Sequence, residues 1–161
     1  MIVYGKCFID ANVIMYAAGK EHKYKVSCSW IVTEIENGNI DALTDTEVIQ
    51  EILYRYSMIG LPDRAIELSK KLYSLVPETL PVSSQDVSEA IKLYEKYHSQ
   101  DIKSRDAIHT AVMENNKVTQ IISVDKHFDL IEGVSRIDPI DLYRAQKTEE
   151  KEETFQKIEE T

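Results

Sequence analysis

The sequence contains little cysteine and no residue pattern that marks a structural zinc site. Cys7 and Cys28 are the only two cysteines among 161 residues, and neither belongs to a Cys-X-X-Cys pair. Two separated cysteines argue against a disulfide framework, and without clustered histidines they also argue against structural zinc. We expect Cys7, which lies in an apolar run, to be a small core residue.

Long apolar runs are also missing. No segment approaches the roughly 20 apolar residues that span a bilayer, and the N-terminal stretch lacks the basic region and long apolar stretch of a signal peptide. We therefore expect a soluble, cytoplasmic protein with no membrane partner. The length suits a single domain over 1–146. A charged tail over 147–161, with three lysines and six glutamates, is expected to be a frayed helix or disordered.

Positive charge is scarce. The chain has 28 acidic and 19 basic residues and a net charge of -9, which argues against non-specific binding of nucleic acid through bulk charge. Clustered carboxylates contribute to such a total, and they accept a phosphate once divalent cations neutralise them. The sequence has no glycine-rich phosphate loop and no arrangement of nucleophile and histidine, so neither a nucleotide cofactor nor a catalytic triad is indicated.

Short apolar segments alternate with segments of helical periodicity along the chain. The clearest predicted strands cover 6–10 and 119–124. This alternation predicts an α/β sandwich with a mostly parallel sheet, because parallel strands need crossover connections. In open sheets of this kind, ligands bind beyond the carboxyl ends of the strands. Asp10 and Asp125 are expected at such ends.

Two further acids are candidates for the same site. Residues 44–47 have the form of a capping box that opens a helix, which gives Glu47 a structural role. Glu51 follows one turn later at the boundary of an apolar stripe, so it is the better candidate of the two. Asp106 is expected in the first turn of another helix, where the helix dipole favours a carboxylate. Taken singly, each of these acids also fits a capping role.

Four carboxylates, Asp10, Glu51, Asp106 and Asp125, can converge over one edge of the sheet. Carboxylates at such short distances raise one another's pKa unless a cation lies between them. Hard oxygen ligands suit Mg²⁺ or Mn²⁺. Such ions activate a water and stabilise a leaving oxygen in a one-metal or two-metal scheme for phosphodiester cleavage.

Four segments resemble the motifs of PIN domains. They are 8–16 (FIDANVIMY), 44–56 (TDTEVIQEILYRY), 104–111 (SRDAIHTA), and 121–129 (IISVDKHFD) with its continuation 133–139 (GVSRIDP). The resemblance implies a three-layer α/β/α sandwich with a mostly parallel central sheet. It also implies a Mg²⁺- or Mn²⁺-dependent endoribonuclease whose ions are held by Asp10, Glu51, Asp106 and Asp125.

The resemblance further implies partners. Small single-domain members are commonly VapC-type toxins that an antitoxin protein holds inactive, and they commonly dimerise. An RNA substrate, an antitoxin and a homodimer are therefore expected.

Several neighbours of the acids have two interpretations each. Asn12 and Ser123 fall where the family often has polar residues near the metal waters, although Asn12 equally suits the cap of a helix from 13 to 18. Asp129 lies close enough to Asp125 to shape the pocket, but a turn-capping role is favoured. His109, one turn after Asp106, is either a metal ligand or a buried hydrogen-bonded residue, and the oxygen-rich acid set favours the second.

Three cations lie near the acids in sequence. Lys103, Arg105 and Lys126 are candidates for contact with RNA phosphates. For any one of them, the alternative is a solvated charge at the end of a loop.

Three other functions stay open. One is a catalytically silent PIN-fold scaffold or an assembly component in RNA processing, against which the presence of all four acids weighs. Another is a phosphatase with Asp10 as nucleophile, but its chemistry needs a second acid at position 12, which is Asn. The third is a deoxyribonuclease, because nothing in the sequence distinguishes RNA from DNA.

Overall fold

The computed structural model describes residues 3–159, along which strands and helices alternate. The helices of this part are α1 (Ala11–Ala18), α2 (Lys25–Glu36), α3 (Thr46–Met58), α4 (Pro62–Leu75), α5 (Ser84–Tyr97), α6 (Ser104–Asn115) and α7 (Pro139–Glu159). The strands are β1 (Cys7–Ile9), β2 (Ala42–Asp45), β3 (Glu78–Leu80), β4 (Gln120–Ile122) and β5 (Ser135–Ile137). Single 3₁₀ turns cover His98–Gln100 and Lys126–Leu130.

The strands form one sheet in the order β3-β2-β1-β4-β5, and every neighbouring pair is parallel. The chain moves in one direction across the sheet from β1 to β3 and then returns past β1 to β4. Because crossovers between parallel strands are right-handed, this reversal puts α1 to α4 on one face and α5 and α6 on the other. The predicted α/β/α sandwich with a parallel central sheet is confirmed.

The centre of the sheet is apolar along its whole length. Cys7, Phe8 and Ile9 of β1 are buried, as are Ile121 and Ile122 of β4. A parallel strand covered by helices on both faces needs such a continuous apolar run rather than an alternating one. Cys7 is a core residue, as expected.

The caps of two helices differ from the prediction. Asp10, not Asn12, is the N-cap of α1, and its carboxylate accepts from the Ala11 N–H. Thr44 does not begin a capping box, because it lies in β2 and its hydroxyl donates to the Ile9 carbonyl at 3.0 Å. Asp45 caps α3 instead. The strand β2 is buried and continues through Thr44, the residue at which the sequence pattern predicts a helix cap.

The C-terminal helix α7 runs without a break through position 147, where the charged tail was expected to begin. Residues 160 and 161 lie outside the described residues. The division into a domain over 1–146 and a tail stays a prediction. Among the helices of the described chain, none combines the length and the apolar character needed to cross a membrane.

Candidate metal centre

The order of the strands reverses between β1 and β4, and the candidate site lies at this point. Asp10 directly follows β1, and its backbone N–H donates to the Ile122 carbonyl at the end of β4 at 3.2 Å. Asp125 follows three residues after Ile122. In open α/β sheets, ligands usually bind in the crevice beyond two adjacent strands whose connections lead to opposite faces of the sheet.

Asp10 is buried and held by neutral hydrogen-bond donors. Its Oδ1 accepts from the Ala11 N–H at 2.7 Å, and its Oδ2 accepts from the Asn12 amide at 2.8 Å and the Ser123 hydroxyl at 2.6 Å. Burial raises the pKa of Asp10 to about 6, and the charges of Glu51 and Asp106 add to this, while His109 and Ser123 act in the opposite direction. Asn12 and Ser123 therefore both contact a candidate ligand.

Glu51 is buried on α3 and is held by cations. Its Oε1 lies 2.6 Å from Arg55 Nη2 and 3.3 Å from Arg105 Nη1. Burial alone would raise the pKa of Glu51, but His109, Arg55 and Arg105 lower it below its ordinary value. Glu47, the competing acid, forms an ion pair with Arg105 at 3.2 Å.

A buried pair, Asp45 and His109, lies beneath these acids. Asp45 Oδ2 is 2.7 Å from His109 Nδ1, and its Oδ1 accepts from the Val48 N–H at 2.8 Å. His109 Nε2 lies 3.8 Å from Glu51 Oε2, too far for a hydrogen bond, and has no other partner among the described residues. Burial alone would lower the pKa of His109, but Asp45, Glu51 and Asp10 raise it to about 10. The raised pKa favours the protonated form of His109, which pairs with Asp45, and His109 also belongs to a group of three side chains that could hold a metal ion.

Asp106 and Asp125 complete the acid set from the ends of two other elements. Asp106 Oδ2 accepts from the Lys103 N–H at 3.1 Å in the first turn of α6. Burial raises the pKa of Asp106, against the effect of this bond, and the charges of Asp125 and Glu51 raise it further. Asp125 Oδ1 accepts from the His127 N–H at 2.9 Å and contacts the His127 ring.

The four acids line one cavity of ≈ 590 Å³, a volume within the usual range of ligand sites. Asn12, Tyr16, His22 and Arg55 are also among its lining residues. Ligand atoms of Asp10, Glu51 and His109 lie within 4.8 Å of one another, although His109 itself does not line the cavity. The predicted acids therefore share one cavity, but Asp106 and Asp125 do not belong to this compact group.

Four of the predicted neighbours divide between two hollows outside the acid cavity. Lys103 and Arg105 line an adjoining hollow together with Glu51 and Asp106. Lys126 and Asp129 line a different hollow, where Asp129 accepts two bonds from Arg136 at 2.9 and 3.1 Å. The structure does not bring these last two to the acid cavity.

Sequence reasoning missed two residues of the site, Arg55, which contacts Glu51, and Asp45, which contacts His109. Arg55 had an available signal, because it follows Glu51 by four residues on one helix, the spacing at which opposite charges meet. No sequence signal identified the partner of Asp45, because 64 positions separate it from His109. The capping-box pattern drew attention to Thr44 and Glu47 instead.

Residues 7–134 match the family described as PIN domain. The chain belongs to the PIN domain family. A VapC ribonuclease from Mycobacterium bovis is 32% identical over 129 residues, which cover 80% of this chain and 97% of the relative. The resemblance drawn from the four motifs is thereby confirmed.

Solved structures share the PIN fold at low identity. VapC20 from Mycobacterium tuberculosis, described as a toxin that cleaves the sarcin-ricin loop, superposes with a TM-score of 0.65 at 14% identity over 77% of this chain and 93% of its own. A toxin-antitoxin complex from Klebsiella pneumoniae gives a TM-score of 0.58 at 16% identity, over 83% and 97%. These superpositions show the fold, and the family match covers the segment that carries all four acids.

Proposed function

We propose that this PIN domain is a divalent-metal-dependent endoribonuclease that hydrolyses RNA phosphodiester bonds. The observation that carries the proposal is the cavity at the strand reversal, into which four carboxylates from separate elements converge. The name of the M. bovis relative supports RNA as the substrate. Two of the four acids, Asp10 and Glu51, are buried. Burying charged groups is costly, and such groups gather in clefts where function requires them.

The donor set fits Mg²⁺ or Mn²⁺. Asp10, Glu51, Asp106 and Asp125 offer carboxylate oxygens, which these ions prefer, and no cysteine is among the residues that line the cavity. The raised pKa of Asp10 reflects a buried negative charge that His109 and the hydrogen bond from Ser123 offset only in part. When bound, the metal supplies the positive charge that activates a water and stabilises the leaving 3′ oxygen.

The residues of the chain position the acids. Asn12 and Ser123 fix the carboxylate plane of Asp10, the Lys103 N–H fixes Asp106, and the His127 N–H fixes Asp125. Such bonds orient ligands before anything binds, so little reorganisation is needed during the reaction. Lys103 and Arg105, beside the acids, are placed to meet RNA phosphates that flank the cut.

The proposal extends to biological context. We infer that the chain is the cytoplasmic toxin of a toxin-antitoxin pair, that an antitoxin protein covers the acidic cavity, and that the toxin is a homodimer. The naming of the relative and the description of the K. pneumoniae complex support the antitoxin partner. The homodimer follows from the family resemblance alone.

Cleavage assays test the nuclease proposal. The wild type should cut RNA with Mg²⁺ or Mn²⁺, stop with EDTA, and resume when metal is restored. Asp10→Asn and Asp106→Asn should each lower the rate by about 100-fold or more, the effect of removing one preorganised electrostatic contact. Asp63→Asn, an exposed acid in the first turn of α4, is the matched control and should cut as the wild type does.

The outcomes separate the competing functions. Equal cleavage by wild type and Asp10→Asn would overturn the catalytic role of the acids and favour a contaminating nuclease. Absence of cleavage by all proteins, together with retained RNA or protein binding, would favour the silent scaffold. Faster cutting of single-stranded DNA than of RNA would change the substrate class while leaving the metal centre in place.

A further inference from the structure

Three aromatic rings meet in the loop between α1 and α2. The ring of His22 stacks on Tyr16 at 4.5 Å between centroids with 22° between the planes, and lies 5.9 Å from Tyr24 at 19°. Tyr16 and Tyr24 are 5.5 Å apart. The three distances form a compact triangle, so the two tyrosines do not enclose His22 between them. One side of the His22 ring is therefore not covered by either tyrosine.

The loop fixes the orientation of this exposed ring. His22 Nδ1 accepts from the Tyr24 N–H at 3.3 Å, and Lys25 N–H donates to the His22 carbonyl at 3.0 Å. Tyr24 itself is buried, and its hydroxyl donates to Asp138 at 3.1 Å. The base of the triangle is thus anchored in the fold, whereas His22 is exposed to solvent. An aromatic ring that is exposed to solvent and held by a hydrogen bond from the backbone is unusual for a residue with only a packing role.

The ring pair lies on the acidic cavity. Tyr16 and His22 line the same ≈ 590 Å³ cavity as Asp10 and Asp106, and Lys20 lines it between them in sequence. A group bound against His22 would therefore be continuous with one bound at the carboxylates. This neighbourhood distinguishes the pair from Tyr94 and His98, which lie 5.7 Å apart at 43° and do not line that cavity.

The charge of the loop differs from that of the chain. Residues 19–25 contain three lysines and one glutamate, a local charge of +2 with histidine neutral, in a protein whose net charge is -9. Lys25 bonds to the Gly19 carbonyl, and Lys23 lies over the Tyr24 ring at 5.2 Å. Lys20 and Glu21 both line the cavity, and Lys20 is the lysine of the loop that does so. Basic side chains interleaved with aromatic rings are the composition that binds single-stranded nucleic acid.

We propose that Tyr16 and His22 form a nucleobase-stacking subsite at the rim of the acidic cavity, where a base next to the scissile phosphate of single-stranded RNA stacks on the exposed face of His22. The proposal rests on the nuclease function and specifies how the substrate enters. Stacking needs only a π face, so this subsite tolerates different bases and holds the strand in place. Lys20 contacts the backbone phosphate of the stacked nucleotide.

Kinetics of His22 variants test the subsite. With a single-stranded RNA oligonucleotide and saturating Mn²⁺, His22→Ala should raise KM about 5- to 100-fold with little change in kcat, from the ~1–3 kcal/mol that one stacked base contributes. His22→Phe should restore KM to near the wild-type value, because it keeps a flat ring. His98→Ala is the matched control and should leave KM unchanged. An oligonucleotide with an abasic nucleotide beside the cut should raise the KM of wild type, but not that of His22→Ala.

A binding measurement separates this proposal from the nuclease proposal. The Asp106→Asn protein, with RNA carrying 2-aminopurine beside the cut position, should quench the fluorescence of that base, and adding His22→Ala should abolish the quenching. Quenching without cleavage by any variant would leave the subsite standing and overturn the nuclease function. Cleavage by wild type with equal KM values for His22→Ala, His22→Phe and wild type would overturn the subsite alone.

Discussion

Two parts of the acid cavity are held in opposite ways. We call Asp10 with Asn12 and Ser123 the Asp10 half, and Glu51 with Arg55, Arg105 and His109 the Glu51 half. Asp10 receives three hydrogen bonds, all from neutral donors, and its pKa is raised to about 6 because burial is not offset by a direct cation. Glu51 is surrounded by Arg55, Arg105 and His109, and its pKa is lowered. The two carboxylates line the same cavity, yet the pKa of Asp10 is lowered by one nearby cation, His109, and that of Glu51 by three.

This difference assigns separate tasks to the two halves. A buried carboxylate whose charge is only partly offset destabilises the folded chain, so under the proposed function we expect the Asp10 half to provide most of the driving force for metal binding. The carboxylate of Glu51 is already paired with arginines, so we expect a bound metal to displace part of these ion pairs. At Asp10 the charge that a metal needs is unfavourable for folding, whereas at Glu51 the ion pairs that favour folding compete with the metal.

The largest effect on stability is expected at Glu51. Glu51→Gln leaves Arg55, Arg105 and the buried His109 without their shared counter-ion, and we expect the free energy of unfolding to fall by about 2–3 kcal/mol, because removing one partner of a buried ion pair is strongly destabilising. Urea unfolding in EDTA at pH 7.5 measures it. Glu47→Gln, which removes the same charge one turn earlier and leaves Glu51 in place, should cost less than about 1 kcal/mol. Equal losses in both variants would refute the difference between the halves.

The opposite sign is expected at Asp10. Its folded pKa of about 6 exceeds the ordinary 3.8, so the stability that the protonated carboxyl provides is complete below pH 3.8 and is lost as the pH rises through 6. At pH 7.5, Asp10→Asn should therefore stabilise the protein by about 1–3 kcal/mol, from ~1.4 kcal/mol for each unit of pKa.

The pH dependence of this gain is its own control. Thermal unfolding in EDTA should show that the advantage of Asp10→Asn over the wild type shrinks between pH 7.5 and pH 4. A gain that stays constant with pH would mean that burial of a charge is not its cause.

The sequence was sufficient for the Asp10 half and insufficient for the Glu51 half. Asp10, Asn12 and Ser123 lie in motifs next to strands, and a parallel sheet brings the ends of adjacent strands together whatever the details of packing. The strand order itself needed the structure, because alternation of strands and helices does not specify which strands are neighbours.

The environment of Glu51 depends on contacts between helices, which local patterns do not encode. Arg105 reaches Glu51 from α6, and His109 meets Asp45 across 64 positions. Selecting Glu51 over Glu47 was based on a capping box that the structure does not contain, because Thr44 is a strand residue. Glu51 nonetheless lies in the cavity, since its place beside the apolar stripe holds irrespective of where the helix begins.

The smallest effect is expected at Arg55, which tests whether the cations of the Glu51 half compete with a metal. Arg55 is about half exposed, so its pair with Glu51 is screened by solvent. Arg55→Met should tighten Mn²⁺ binding about two- to fivefold, measured by titration calorimetry without RNA, because the metal no longer displaces a cation. Lys92→Met, which removes an exposed cation paired with Glu89 on α5, should change the affinity little. Weaker Mn²⁺ binding in Arg55→Met would show instead that the arginine orients Glu51 for the metal, and the two halves would then be alike in being preorganised.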